Sequence, residues 1–172
     1  MKKCKITVLL ILSVFLIGCA SYAEKGTDLL EEEKYEEAAE KFQKGIEKNK
    51  DLAENYRGLG LAYWELGDYE NAEKAFQSAL ENEAEGTGAL YNLMGLCNME
   101  LEDYEGALNY FRLGIASEDA GEKLIQEMEY NEIVAYENLR DWETAKHKME
   151  QYIEKYPDDE KAAKEAAFLR TR

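Results

Sequence analysis

His147 is the only histidine in the 172-residue chain, so general acid–base chemistry near neutral pH would have to run through it. It stands between Lys146 and Lys148, on what reads as a solvated helix face, with no group spaced to orient it. Cys97 is the only cysteine beyond residue 19. A nucleophilic thiol needs a neighbouring cation to lower its pKa. The residues around Cys97 offer no Lys, Arg or His, and beside Leu96 it reads as a small buried residue on the inner side of a helix. The acidic runs Glu31-Glu32-Glu33 and Asp158-Asp159-Glu160 lack the alternating acids, central glycine and distal glutamate of a calcium loop, and read as solvated turns. The chain has no glycine-rich phosphate loop, no CxxC pair and no HExxH. These residues therefore point to a protein that is not an enzyme and that carries no metal and no cofactor. What remains able to recognise a ligand is aromatic and apolar surface, Trp64 above all.

Composition narrows the partner. The formal charge is −16, from 37 acidic and 21 basic side chains. Phosphate backbones need a basic surface, so nucleic acid is excluded as a partner, and direct docking onto anionic headgroups is disfavoured. The charge suits a basic partner, or serves solubility alone. The single proline, Pro157, leaves room for long helices.

The elements that would position such a surface repeat along the chain. Lys34-Tyr35-Glu36-Glu37-Ala38, Asp68-Tyr69-Glu70-Asn71-Ala72, Asp103-Tyr104-Glu105-Gly106-Ala107 and Asp141-Trp142-Glu143-Thr144-Ala145 align, with aromatic spacings of 34, 35 and 38. Four residues after each alanine comes a large apolar residue: Phe42, Phe76, Phe111 or Met149. Upstream, Tyr56-x-x-Leu59-Gly60-x-x-Tyr63 matches Tyr91-x-x-Met94-Gly95-x-x-Asn98 and, more loosely, Tyr22-x-x-Lys25-Gly26-x-x-Leu29. The fourth unit keeps Tyr136 and has Ile133 at the glycine position, which predicts splayed helices there. Each unit reads as helix A, a turn and helix B. Recurrent glycine in helix A, despite a cost of about 1 kcal/mol against alanine, predicts close helix approach. Asp68 and Asp103 are expected to cap helix B. The aromatics Tyr35, Tyr69, Tyr104 and Trp142 are expected in the core. One extra residue near Gly86-Thr87-Gly88 and three between Ser117 and Lys123 should lengthen turns or extend the fourth helix A. A final helix from Asp159 to Arg170 should cover the last unit with Ala163, Ala166, Ala167 and Phe168.

A period near 34 with these residues resembles the tetratricopeptide repeat. That resemblance implies an all-α, right-handed superhelical solenoid of about four helix-turn-helix units over 19–158 (about 19–52, 53–87, 88–122 and 123–158), with a capping helix over 159–172. In this family the A helices line a concave groove that takes a peptide or a partner's helix. The matching positions are Arg57, Leu61, Trp64 and Glu65 in the second unit, Asn92, Leu96, Met99 and Glu100 in the third, and Tyr130, Val134, Glu137 and Asn138 in the fourth. The mixture is apolar with acidic edges, so the resemblance implies a protein or peptide partner that is apolar or basic.

The first residues read as an address. Lys2, Lys3 and Lys5 precede an apolar run from Ile6 to Ile17, too short to span a bilayer but suited to an export signal. The run ends in Leu16-Ile17-Gly18-Cys19, which resembles a bacterial lipoprotein cleavage box. By that resemblance residues 1–18 are a signal peptide that is removed, and Cys19 carries acyl chains such as palmitate. Loss of three lysines takes the charge from −16 to −19. The expected product is exported and lipid-anchored to the cell membrane or outer membrane, facing away from the cytoplasm. Taken together, the sequence predicts a membrane-tethered scaffold or assembly factor of the cell envelope. The alternative is an adaptor regulating an envelope enzyme such as a peptidoglycan hydrolase, and more remotely a small-ligand binder or enzyme.

Overall fold

The computed structural model describes residues 21–172. The expected signal peptide and the lipidated Cys19 lie outside the described residues. Nine helices are present among the described residues: α1 (Tyr22–Glu31), α2 (Tyr35–Glu47), α3 (Leu52–Glu65), α4 (Tyr69–Glu81), α5 (Gly88–Glu100), α6 (Tyr104–Ile115), α7 (Glu122–Asn138), α8 (Trp142–Lys155) and α9 (Glu160–Leu169). None of them is long and apolar enough to cross a membrane.

Local sequence explains where six of the nine helices start and how every A helix stops. Asp68, Asp103 and Asp141 accept from the backbone N–H three residues ahead, at Asn71, Gly106 and Thr144. Each thereby satisfies one of the free donors at a helix start. Thr87 caps α5, and Ser21 with Glu24 forms a reciprocal capping box on α1. Every A helix ends in the same way. Glu33, Gly67, Glu102 and Arg140 take a left-handed φ of 58°, 73°, 60° and 60°. The residue after each then returns its N–H to the carbonyl of Leu29, Tyr63, Asn98 or Tyr136. This stop places the B helix back along its A helix without depending on glycine.

Between helices, one contact recurs. Phe42, Phe76 and Phe111 are buried, and a Cβ on Gly26, Gly60 or Gly95 would overlap the respective ring. The glycine therefore exists to admit the phenylalanine. In the fourth unit both partners change: Ile133 fills the glycine position and the slimmer Met149 replaces the ring, within one buried cluster. The α7–α8 pair is correspondingly less closely packed than the α3–α4 pair.

Stacking between units is uneven. Phe42 is gripped from a second side, since a Cβ on Gly58 of α3 would also overlap it. The equivalent position in α5 is Leu93, which packs beside the Phe76 cluster instead. Accordingly α3 lies close on α2 and along α1, whereas α3 and α5 make no comparable contact. The second insertion extends helix A: α7 has 17 residues against 14 in α3 and 13 in α5.

Two expectations need correction. The covering face of α9 is Ala162, Ala166 and Leu169; Ala163 and Ala167 point to solvent and Phe168 is 42% exposed. Asp159 caps α9 through Lys161 and Ala162, and that anchor sets the helix phase one residue from the expected one. Tyr35, Tyr69, Tyr104 and Trp142 are half-buried, because each opens a B helix at the edge of the core.

Candidate binding groove

The A helices α1, α3 and α5 enclose an apolar cleft of about 290 Å³. Ala23 and Leu30 come from α1, Leu61 from α3, and Leu90 and Leu93 from α5. It exists because Leu93, where the preceding unit has glycine, keeps α5 from closing onto its neighbour. Arg57 and Glu54 pair with each other at its rim, which leaves the floor apolar and the lip polar.

Of the residues expected in the groove, Arg57 and Leu61 meet in this cleft. Trp64 does not line it: its half-buried ring packs edge-on against Tyr69 at 5.0 Å, closing the end of α3 against α4. Glu65 and Glu100 are exposed. Asn92 is 6% exposed and donates to Glu127 of α7 at 3.0 Å, while its carbonyl oxygen is buried without a partner. Leu96 and Met99 pack against the cluster of Phe111 and Met128, so they serve the α5–α7 interface.

The fourth-unit residues form a separate group. Tyr130 stands edge-on to Tyr152 at 5.6 Å with the Lys161 ammonium 4.5 Å over its ring. It borders a second cavity of about 310 Å³ with Gln126, Tyr152 and Asp159. The Tyr152 hydroxyl accepts from Gln126 and donates to Asp159, and burial pushes it up to about 12. Val134 is half-buried, and Asn138 is exposed and donates back to the Val134 carbonyl. One Glu137 oxygen is buried without a partner; burial, then the nearby Glu165 carboxylate, raises its pKa above the ordinary value.

A third cavity, of about 350 Å³, opens on the B-helix side between α6 and α8. Its floor is the carboxylate of Glu132, only 4% exposed, which pairs with Lys148 at 2.6 Å and Arg112 at 3.6 Å. Glu129 pairs with Lys155 at its edge. Every cation there already has an acidic partner. Cys97 is fully buried, and burial pushes its thiol up to about 12, which removes it as a nucleophile at neutral pH. Among the described residues no cluster of His, Cys, Asp and Glu is arranged to hold a metal ion.

Sequence reasoning missed Ala23, Leu30, Leu90 and Leu93. The signal was available in the comparison of Gly58 with Leu93 at equivalent places, which marks where two units stack closely and where they stand apart.

Helical hairpins stacked so that one helix of each lines a common face define a helical-repeat solenoid. This chain belongs to the tetratricopeptide-repeat family, whose models match residues 24–89, 57–121 and 130–159. Solved structures agree on the fold. MamA of Desulfovibrio magneticus RS-1 is 20% identical, with a TM-score of 0.74 over 88% of this chain and 82% of that one. YrrB, described as a TPR protein with an unusual peptide-binding site, is 21% identical, with a TM-score of 0.74 over 87% and 75%. A tetratricopeptide repeat protein of Parabacteroides merdae is 16% identical, with a TM-score of 0.67 over 86% and 56%. A comparison with curated proteins yields no significant match.

Proposed function

We propose that this protein is an exported, lipid-anchored module that holds a partner protein of the cell envelope, without catalysis of its own. The observation that carries the binding half is the cleft between α1, α3 and α5: an open apolar floor of leucines with a charged lip. Such a surface is where an apolar anchor side chain gains most from leaving water, while the lip excludes solvent around it. The acidic charge of −16 favours a partner segment with basic residues beside its apolar anchors. The anchoring half rests on the Leu16-Ile17-Gly18-Cys19 box behind a basic, apolar leader. The YrrB description supports peptide binding by this fold in that protein.

The test is photo-crosslinking in cells from a reactive residue at Leu61, with the exposed Lys74 of α4 as control. A defined protein captured at Leu61 and not at Lys74, and lost on Leu93→Glu, supports the cleft. Equal capture from both positions rejects it. Fatty-acid labelling that disappears in Cys19→Ser supports the anchor, and its absence in the wild-type chain rejects it.

A further inference from the structure

The anchor and the cleft are close together along the chain. Helix α1 starts at Tyr22 with its cap at Ser21, so one residue, Ala20, separates the cap from Cys19. Ala23 already lines the cleft. Four residues span at most about 14 Å even when fully extended. From Ala23 to Leu30, the far lining residue on α1, the helix rises about 10 Å more. Every part of the cleft on α1 is thus within about 25 Å of the acylated residue, whatever way the solenoid leans. This bound comes from covalent geometry and helix rise alone.

That distance selects the occupant. We infer that the cleft takes a membrane-proximal segment of another membrane-anchored protein: a short apolar stretch flanked by basic residues, within about ten residues of that protein's own anchor. The inference rests on the anchored, cleft-binding reading proposed above. A chain leaving the same bilayer covers 25 Å in about eight extended residues. Tethering to one surface gives such a segment an effective concentration in the millimolar range, which a soluble competitor lacks. The charge adds to this. With residues 1–18 removed the chain carries −19, held beside headgroups, and basic flanking residues are drawn into that field.

The experiment places a photoreactive residue at Leu93 in the full lipidated chain in its native membrane, and maps the crosslinked peptide by mass spectrometry. The N-terminal peptide is weighed in the same digest. The expected result is an acylated Cys19 and a crosslink within about ten residues of the membrane helix or lipidated residue of an identified protein. Inserting twenty Gly/Ser residues between Cys19 and Ser21 should then lower capture several-fold, because the linker dilutes the tethered cleft. A crosslink to a soluble protein, to a segment far from any anchor, or to a lipid chain overturns the inference while leaving anchor and cleft intact. Capture unchanged by the linker does the same. An unmodified Cys19 overturns the anchor reading, and an acylated Cys19 with no capture overturns the cleft reading; the inference falls with either.

Discussion

The backbone N–H of Gly88 donates to the carboxylate of Asp119 at 2.9 Å, which ties the start of α5 to the loop before α7. These are the two places where the repeat period lengthens. Gly88 is buried at this contact, and a Cβ on it would overlap Ala120. The two insertions therefore form one joint, and that joint seats the third unit on the fourth.

Removing the acceptor should loosen that joint. Asp119→Ala leaves the Gly88 N–H without a partner at a cost of about 1–2 kcal/mol. For a chain of this size that lowers Tm by roughly 3–6 °C. Asp119→Asn keeps an acceptor and should lose less. Thermal unfolding followed by circular dichroism distinguishes the two, and equal losses would show that charge rather than the hydrogen bond matters.

The Ile133–Met149 pair should behave as a swapped form of the Gly–Phe contact. Met149→Phe alone drives a ring onto Ile133 and should cost about 1–3 kcal/mol by overpacking. Ile133→Gly alone leaves a cavity and a helix glycine, and should cost about 3 kcal/mol or more. Combined, the two changes rebuild the contact that Gly95 and Phe111 make. The double variant should recover at least about 1 kcal/mol relative to additivity in urea unfolding.

The left-handed turn residues are a source of stability that the sequence leaves unused. Glu102 and Arg140 hold φ of 60°, where a side chain is strained and glycine is not. Glu102→Gly and Arg140→Gly should each raise stability by up to about 1 kcal/mol, and the same change at the exposed Gln77 inside α4 should lower it by about that much. Denaturant midpoints of the three variants measure this directly.

Glu137 sets a pH dependence with a definite sign. Burial, then Glu165, raises its pKa above 4.5, so the folded chain holds this proton more tightly than the unfolded one. Stability from this group is therefore greatest in acid and falls as pH rises through the raised value. Glu137→Gln removes the penalty. It should raise Tm at pH 7 and change it little at pH 4, a difference read against wild type because many other carboxylates titrate over the same range.

Spacing along the chain dictates the repeat, and with it most of the fold. Alanine, glycine and a large apolar residue at fixed spacing are local constraints on how two helices touch, and they translate directly into the Gly26–Phe42, Gly60–Phe76 and Gly95–Phe111 contacts. The caps at Asp68 and Asp103 were readable for the same reason, because a cap depends only on residues three apart. The phase of α9 was not readable, since Asp159 fixes it and alanines occur on both faces.

The groove divided along the same line. Arg57 and Leu61 line the cleft, because their direction follows from helix α3 alone. Trp64 turned aside to Tyr69, and Asn92, Leu96 and Met99 were drawn into the α5–α7 interface. Those outcomes follow from how neighbouring units stack. Whether a side chain on a concave face is open or covered depends on how far the next unit stands away. That distance is fixed by contacts between residues well separated along the chain, such as Gly88 with Asp119 and Leu93 with Phe76. Helix direction is a local property of the chain, and the spacing between stacked hairpins is not.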